Sequence, residues 1–309
     1  MDMYKLKLRQ AMPLELKIRF TTRRIEEWVN YYGIDGCYVS FSGGKDSTVL
    51  LHLVRSLYPE IKAMFVDTGL EYPEIKQFVK SIDNVDIIRP EKMFNQVIDD
   101  YGFPIISKEV SECVDQARKA LTTGKYQYRL NKLKGLDKNG NPSPFGCTKW
   151  AFLLDAPFKV SNQCCNVMKK RPAHKYYKQT GRVPMIGTLA EESRLRTQQY
   201  LKTGCNGFNN KIPTSNPLAF WTEQDILQYL KDFNVPYASV YGEINQDKNG
   251  KYYTTGCQRT GCMFCGFGCH LEKEPNRFQK LKETHPKQYD YIINKLGFGT
   301  VLDYIGVPY

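Results

Sequence analysis

Six consecutive residues, Ser42-Gly43-Gly44-Lys45-Asp46-Ser47, combine the side chains and the backbone freedom needed to hold a phosphate. Two glycines let backbone N–H groups approach an anion with no Cβ in the way, and Lys45 adds a point charge. The run Tyr38-Val39-Ser40-Phe41 stands before them, and Thr48-Val49-Leu50-Leu51 opens a helical pattern after them. Strand, glycine turn and helix start together aim bare donors and the positive end of a helix at one point. A tight turn with a solvated lysine is the plain alternative. The spacing is not Gly-x-x-x-x-Gly-Lys-Ser/Thr, so this is not a Walker A loop.

The ten cysteines are a second source of chemistry. Cys257-x4-Cys262-x2-Cys265 repeats the C-x4-C-x2-C spacing that wraps iron–sulfur clusters in plant-type ferredoxins. Such a site needs one more thiolate from a distance, and the tandem Cys164-Cys165 is the evident source. A four-cysteine zinc knuckle accepts the same tetrahedral donors. Cys37, Cys113, Cys147, Cys205 and Cys269 read as small buried residues.

The elements that must position these groups follow from periodicity. Apolar residues at helical spacing predict a helix from Leu14 to about Tyr32. Strands are expected over 37–42, 61–67, 85–89 and 183–187, with helices over 46–57 and 74–82 between them. This alternation predicts a doubly wound α/β fold with a mostly parallel sheet. Ligands on such sheets sit at the C-terminal ends of strands, where the glycine turn, Asp67-Thr68-Gly69 and Gly187 all fall. The sequence divides into an α/β region, 1–245, and a cysteine-rich segment with C-terminal helices, 246–309.

A basic insertion at about 115–182 interrupts the alternation. Residues 117–134 carry Arg118, Lys119, Lys125, Arg129, Lys132 and Lys134 around Tyr126 and Tyr128, with no acid. Residues 169–182 carry Lys169, Lys170, Arg171, Lys175, Lys178 and Arg182 around Tyr176 and Tyr177, again with none. Either run alone can be a solvated face. Both together suit a polyanion, with lysines on phosphates and tyrosines on bases.

With 309 residues, 41% hydrophobic and 25% charged, the chain has the composition of a soluble globular protein. A net charge of +12 calls for an anionic partner. No apolar run is long enough for a membrane span, and Lys5, Lys7 and Arg9 lead into no secretory core. The cytoplasm is the expected location, where cysteines serve metals or catalysis rather than disulfides. A homodimer is allowed.

Ser-Gly-Gly-Lys-Asp-Ser resembles the signature of PP-loop ATP pyrophosphatases, which split ATP between the α- and β-phosphates and adenylate a substrate. Three further pieces, in order, narrow the resemblance. They are Phe65-Val66-Asp67-Thr68-Gly69, then Ile186-Gly187-Thr188 with Glu191-Glu192-Ser193-Arg194, then Trp221-Thr222 with Asp225-Ile226 and Val235-Pro236-Tyr237. Over 38–241 the set is similar to the phosphoadenosine phosphosulfate (PAPS) reductase-like branch. That branch includes PAPS and adenylylsulfate (APS) reductases, the small subunit of ATP sulfurylase and the DndC/SspD-like enzymes of DNA phosphorothioation.

The resemblance implies an adenine nucleotide α-hydrolase-like domain with a helical, cysteine-rich C-terminal extension. Ser42, Gly43, Gly44, Lys45, Asp46 and Ser47, with Gly187 nearby, would hold the ATP phosphates and their Mg²⁺. Asp67, Thr68 and Gly69 would face the adenosine, and Arg194 would reach a phosphate or sulfate. Glu192 is either part of the site or a structural partner of Arg194. Lys45 and Asp46, with Arg194, are the expected catalytic set, since an intact loop stabilises charge building on departing pyrophosphate.

The tandem cysteines, followed by Lys169 and Lys170, resemble the [4Fe–4S] signature of APS reductases. The resemblance favours Cys164, Cys165, Cys262 and Cys265 as ligands, with Cys257 as substitute. Those reductases also carry a nucleophilic cysteine in a Glu-Cys-Gly-Leu-His setting near the C-terminus; here no cysteine follows Cys269. The expected function is therefore ATP-dependent adenylation and cluster-assisted sulfur transfer, with DNA or tRNA as substrate and a cysteine desulfurase as donor. An APS/PAPS reductase forming sulfite is the alternative. A nucleotide-binding module with a structural zinc is a third.

Overall fold

The computed structural model describes residues 2–309. Its first elements are α1 (Met3–Gln10), α2 (Leu14–Tyr32), β1 (Cys37–Ser40), α3 (Lys45–Leu57), β2 (Lys62–Val66), α4 (Pro73–Lys80) and β3 (Val85–Ile88). Next come α5 (Phe94–Tyr101), β4 (Ile105–Ile106), α6 (Lys108–Thr123), α7 (Gln127–Leu133), α8 (Arg171–Thr180) and β5 (Val183–Ile186). Then follow α9 (Arg194–Thr203), β6 (Asn206–Gly207), β7 (Thr214–Ser215), α10 (Glu223–Asp232), β8 (Ile244–Gln246) and β9 (Tyr252–Thr254). The last are β10 (Gly266–Phe267), α11 (Arg277–Thr284), α12 (Pro286–Asp290) and α13 (Phe298–Tyr304).

Two compact units emerge. One takes the residues up to Asp67, Glu71–Arg89 and Ala173–Thr260; the other takes Thr68–Leu70, Pro90–Pro172 and Gly261–Tyr309.

The first unit is built on a six-stranded sheet of order β3-β2-β1-β5-β7-β6, parallel except where β6 meets β7. This is the mixed α/β, mostly parallel architecture expected from the alternation. Central β1 pairs Val39 with Ala63 on one side and Met185 on the other. Strand side chains alternate between faces. Val39 therefore enters the core shared with α2, α3 and α10, while Tyr38 and Met64 turn the other way onto Tyr176 of α8. The Tyr38 and Tyr176 rings meet edge to face at 5.0 Å.

Helix α2 buries Leu14, Lys17, Thr21, Ile25, Trp28 and Val29, the stripe its periodicity predicts. Lys17 is apolar-faced only in position. Its ammonium meets the Asp225 carboxylate at 2.6 Å and the Gln10 carbonyl at 2.6 Å, both inside the unit. Asp225 also accepts the backbone N–H and hydroxyl of Thr222, 2.6 and 2.7 Å away, closing a capping box on α10.

In the second unit, the Ser107 hydroxyl accepts the Val110 N–H and starts α6, and Gly124, in the left-handed region, ends it. Arg118 is a structural tie. Its guanidinium donates to the carbonyls of Leu153, Leu154, Ala156 and Phe158 at 2.7–3.1 Å. A short parallel pairing of Ile105 with Gly266 and Ile106 with Phe267 brings the cysteine-rich loop beside β4. Among the described residues no helix is long and apolar enough to cross a membrane.

The basic runs look different once folded. Lys119 pairs with Asp115, Arg129 with Glu112, and Lys132 with Glu109, all acids from the preceding turns of α6. Together with Arg118, these commit four of the six cations of the first run. Tyr176 is buried and donates to Asp86 at 2.7 Å, so it belongs to the core rather than to a stacking face.

Candidate nucleotide site and cysteine group

Parallel strands end at β1 with a chain that must reverse into α3 over four residues. Gly43 takes φ +70°, and a Cβ there would strike Ile75 and Val79 of α4 at 2.8 and 2.9 Å. Only glycine fits both demands. Gly44 caps α3 with extended backbone, and its carbonyl accepts the hydroxyls of Ser47 and Thr48 at 2.9 and 3.0 Å. Ser47 also receives the Ser42 N–H, and the Ser42 and Ser47 hydroxyls lie 3.0 Å apart. The loop is thus fixed by its own serines at the N-terminus of α3.

Gly187 follows β5. A Cβ there would sit 2.9 Å from the Asp46 carbonyl oxygen and 3.1 Å from Ser47 Cα, so its bareness lets β5 close against the start of α3. Its role in this structure is that close approach.

Four residues beyond the expected set surround the loop: Tyr241, Glu223, Arg196 and Arg259. Tyr241, buried, accepts the Lys45 N–H at 3.3 Å and shares a 2.5 Å hydrogen bond with Thr260. The Lys45 ammonium donates to Glu223 at the start of α10 and to the Gln258 carbonyl at 2.6 Å. Glu192 takes the guanidinium groups of Arg196 and Arg259, not that of Arg194, and accepts the Leu189 N–H at 3.0 Å. Arg194 is exposed at the first position of α9.

The Asp46 carboxyl is raised above its ordinary value by burial, against the pull of Lys45, Arg259 and Arg196. Burial also pushes the Tyr241 phenol up to about 12. Lys45, Arg259 and Arg196 act on Asp46 against Glu223, so cations paired with Glu223 and Glu192 gather at the N-terminus of α3. Such a grouping can bind a polyphosphate and stabilise charge on its leaving end.

Asp67 directly follows β2 and pairs with Lys76 at 3.0 Å and Arg89 at 3.5 Å. Thr68, Gly69 and Leu70 belong to the second unit, where Thr68 accepts the Leu70 N–H at 3.2 Å. The Leu70 carbonyl takes the Met263 N–H at 2.9 Å, which ties this turn to the cysteine-rich loop of the same unit.

The five cysteines divide between the units. Cys257 lies in the first, where its N–H reaches the Val240 carbonyl at 2.9 Å. Cys164, Cys165, Cys262 and Cys265 lie in the second. There burial raises the Cys164 thiol, and Cys262, Cys165 and Cys265 raise it further. Cys265 is raised by burial, against the pull of the Phe267 N–H and the cations Arg277 and Lys169. Arg277 also donates to the Cys265 carbonyl at 2.8 Å. Thiols are the donors that iron–sulfur clusters take, and four of them lie in this unit. Among the described residues, no three His, Cys, Asp or Glu are already drawn to metal-binding spacing.

Arg196, Arg259, Glu223 and Tyr241 had no sequence signal of their own. Each reaches the loop only through tertiary folding.

Residues 36–266 match the model of the phosphoadenosine phosphosulfate reductase domain. An uncharacterized protein of Methanocaldococcus jannaschii is 25% identical over 83% of this chain, which spans 46% of that protein's length. The adenosine 5'-phosphosulfate reductase of Staphylococcus haemolyticus is 24% identical over 71% of this chain and 70% of its own. The solved U34-tRNA thiolase NcsA from Methanococcus maripaludis, with its [4Fe-4S] cluster, is 14% identical with a TM-score of 0.37. The alignment with it covers 92% of this chain and 78% of that one, a likeness too slight to carry function. The family match runs from β1 through the phosphate loop and the Glu192 turn to Cys265 and Gly266, well over half of the sequence, and the chain belongs to the phosphoadenosine phosphosulfate reductase domain family.

Proposed function

We propose that this protein is an ATP-dependent adenylating enzyme of sulfur transfer that acts on a nucleic acid. The observation that carries the reading is the complete Ser42–Ser47 cradle at the head of α3, with Lys45 inside it and Arg196 and Arg259 around it. In this account the loop N–H groups and Lys45 hold the β- and γ-phosphates, and Asp46 would hold a Mg²⁺ that offsets their charge. A substrate oxygen attacks the α-phosphorus, and pyrophosphate leaves with its charge stabilised by Lys45 and the two arginines. A sulfur nucleophile then displaces AMP from the adenylated oxygen's centre. DNA or tRNA phosphates and bases are the substrates that the basic surface suits.

Cys164, Cys165, Cys262 and Cys265 would hold a [4Fe–4S] cluster. When bound, the cluster supplies sulfur-binding and one-electron chemistry. Lys169 and Arg277 would offset the charge of the thiolates. Anaerobically purified protein is expected to contain iron and to lose it in Cys262→Ser; one zinc per chain and no iron would replace the cluster with a structural metal.

The function is tested by supplying labelled cysteine, a desulfurase, ATP and nucleic acid. Label should enter the nucleic acid only with ATP, and Lys45→Ala should abolish entry. The likeness to the Staphylococcus reductase favours one other reading, an APS/PAPS reductase. Sulfite formed from adenylylsulfate without ATP would establish that reading instead.

A further inference from the structure

Two cysteines outside the Cys164 group meet in the second unit with no part in the proposed reaction. Cys113 sits on α6, fully buried, and its thiol donates to the Arg129 carbonyl at 3.4 Å. Cys147 is half-buried just before the short 3₁₀ turn Thr148–Asp155, and its N–H donates to the Lys132 carbonyl at 2.9 Å. Residues 129 and 132 are one helical turn apart on α7, so both cysteines lie against the same end of that helix.

The backbone there is tightly held. A Cβ on Gly146 would meet Gly135 Cα at 2.9 Å and the Lys132 carbonyl oxygen at 3.2 Å. A Cβ on Gly135 would meet Thr148 at 3.0 Å. Two bare residues therefore press the chain around Cys147 onto α7. Each thiol acts on the other as a hydrogen-bonding neighbour; burial raises both above the ordinary thiol value, Cys113 to about 11, while Lys132 and Arg129 pull the other way.

We propose that Cys113 and Cys147 are a reversible dithiol–disulfide couple, oxidised by a small disulfide of the glutathione type. The half-buried Cys147, once deprotonated, attacks one sulfur of the oxidant, forms a mixed disulfide and expels one glutathione thiolate. The Cys113 thiolate then attacks the Cys147 sulfur, closes the Cys113–Cys147 bond and expels the second. The two thiol protons end on the two released glutathiones, and two electrons pass from the pair to the oxidant. The bond would staple α6 to the chain at Cys147 and close a ring around residues 114–146, which include the exposed Tyr126 and Tyr128. This couple stands independently of the nucleotide chemistry.

The test incubates the intact folded chain, anaerobically, in buffers of graded reduced and oxidised glutathione, followed by alkylation, digestion and mass mapping. The expected result is a linked Cys113–Cys147 peptide that appears with oxidised glutathione and disappears on return to reduced buffer. Cys113→Ser should stop at glutathionylated Cys147, and Cys147→Ser should leave Cys113 as a free thiol. The proposal is overturned if both thiols stay reduced across the series. It is equally overturned if wild-type protein stops at the Cys147 mixed disulfide, or if linkage appears only after unfolding.

Discussion

Lys45 already holds an anion in this structure, the Glu223 carboxylate, with the Gln258 carbonyl as its second acceptor. A phosphate must compete with that carboxylate, which is about half exposed at the head of α10. Glu223→Gln is therefore expected to tighten nucleotide binding roughly 3- to 10-fold, about 1 kcal/mol, the scale of a partly exposed ion pair. Calorimetric titration with a non-hydrolysable ATP analogue reads this directly; weaker binding would make Glu223 a positioning residue for Lys45 instead. Asp46 supplies a pH dependence at the same site. Its carboxyl is raised by burial, so the folded chain holds that proton longer than the unfolded one. Its contribution is fully present below the ordinary carboxylate value and is lost as pH rises through the raised one. Asp46→Asn should flatten the acid side of the stability profile, measured as urea midpoint against pH. The glycines, Lys45 and Asp46 were legible as a phosphate turn because the signal is local and contiguous. Arg259 and Tyr241 were not, since they lie far along the chain and meet the loop only after α10 and the β8–β9 hairpin fold.

At the scale of elements, the buried Lys17–Asp225 pair joins α2 to the cap of α10, the helix that begins with Glu223. Lys17→Met removes the cation and leaves Asp225 with only its Thr222 contacts, a loss expected to cost about 3–5 kcal/mol. The double variant with Asp225→Asn should lose less than the sum of the single ones. Urea denaturation of the four proteins measures both statements, and additivity would show that the pair is not coupled. Periodicity placed α2 within its observed bounds and located α3 and the four long strands to within two residues, because each repeats its apolar stripe for several turns or pleats. The two-residue strands β6 and β7 show no period at all. Composition misled at the first basic run, whose cations look unopposed in a window of 117–134. Asp115 pairs with Lys119 one turn along α6 itself, and packing of α6 on α7 returns Glu109 and Glu112 to Lys132 and Arg129.

At the scale of the molecule, a charge of +12 remains after such pairs are counted within it. Lys125, Lys134, Lys170, Arg171 and Lys178 make no ion pair among the described residues. Nucleic-acid affinity is expected to fall linearly in log–log form with salt, and Lys170→Glu or Lys178→Glu to reduce the slope by about 1 each. Fluorescence anisotropy across a salt series checks this, and a flat response would remove nucleic acid as the partner.

The central claim is that the Ser42–Ser47 cradle splits ATP between its α- and β-phosphates. Product analysis after incubation of the anaerobic protein with ATP, Mg²⁺ and nucleic acid tests it most directly. AMP and pyrophosphate, in equal amounts and absent with Lys45→Ala, are predicted; ADP with inorganic phosphate, or no turnover of ATP alongside sulfite released from adenylylsulfate, would contradict it.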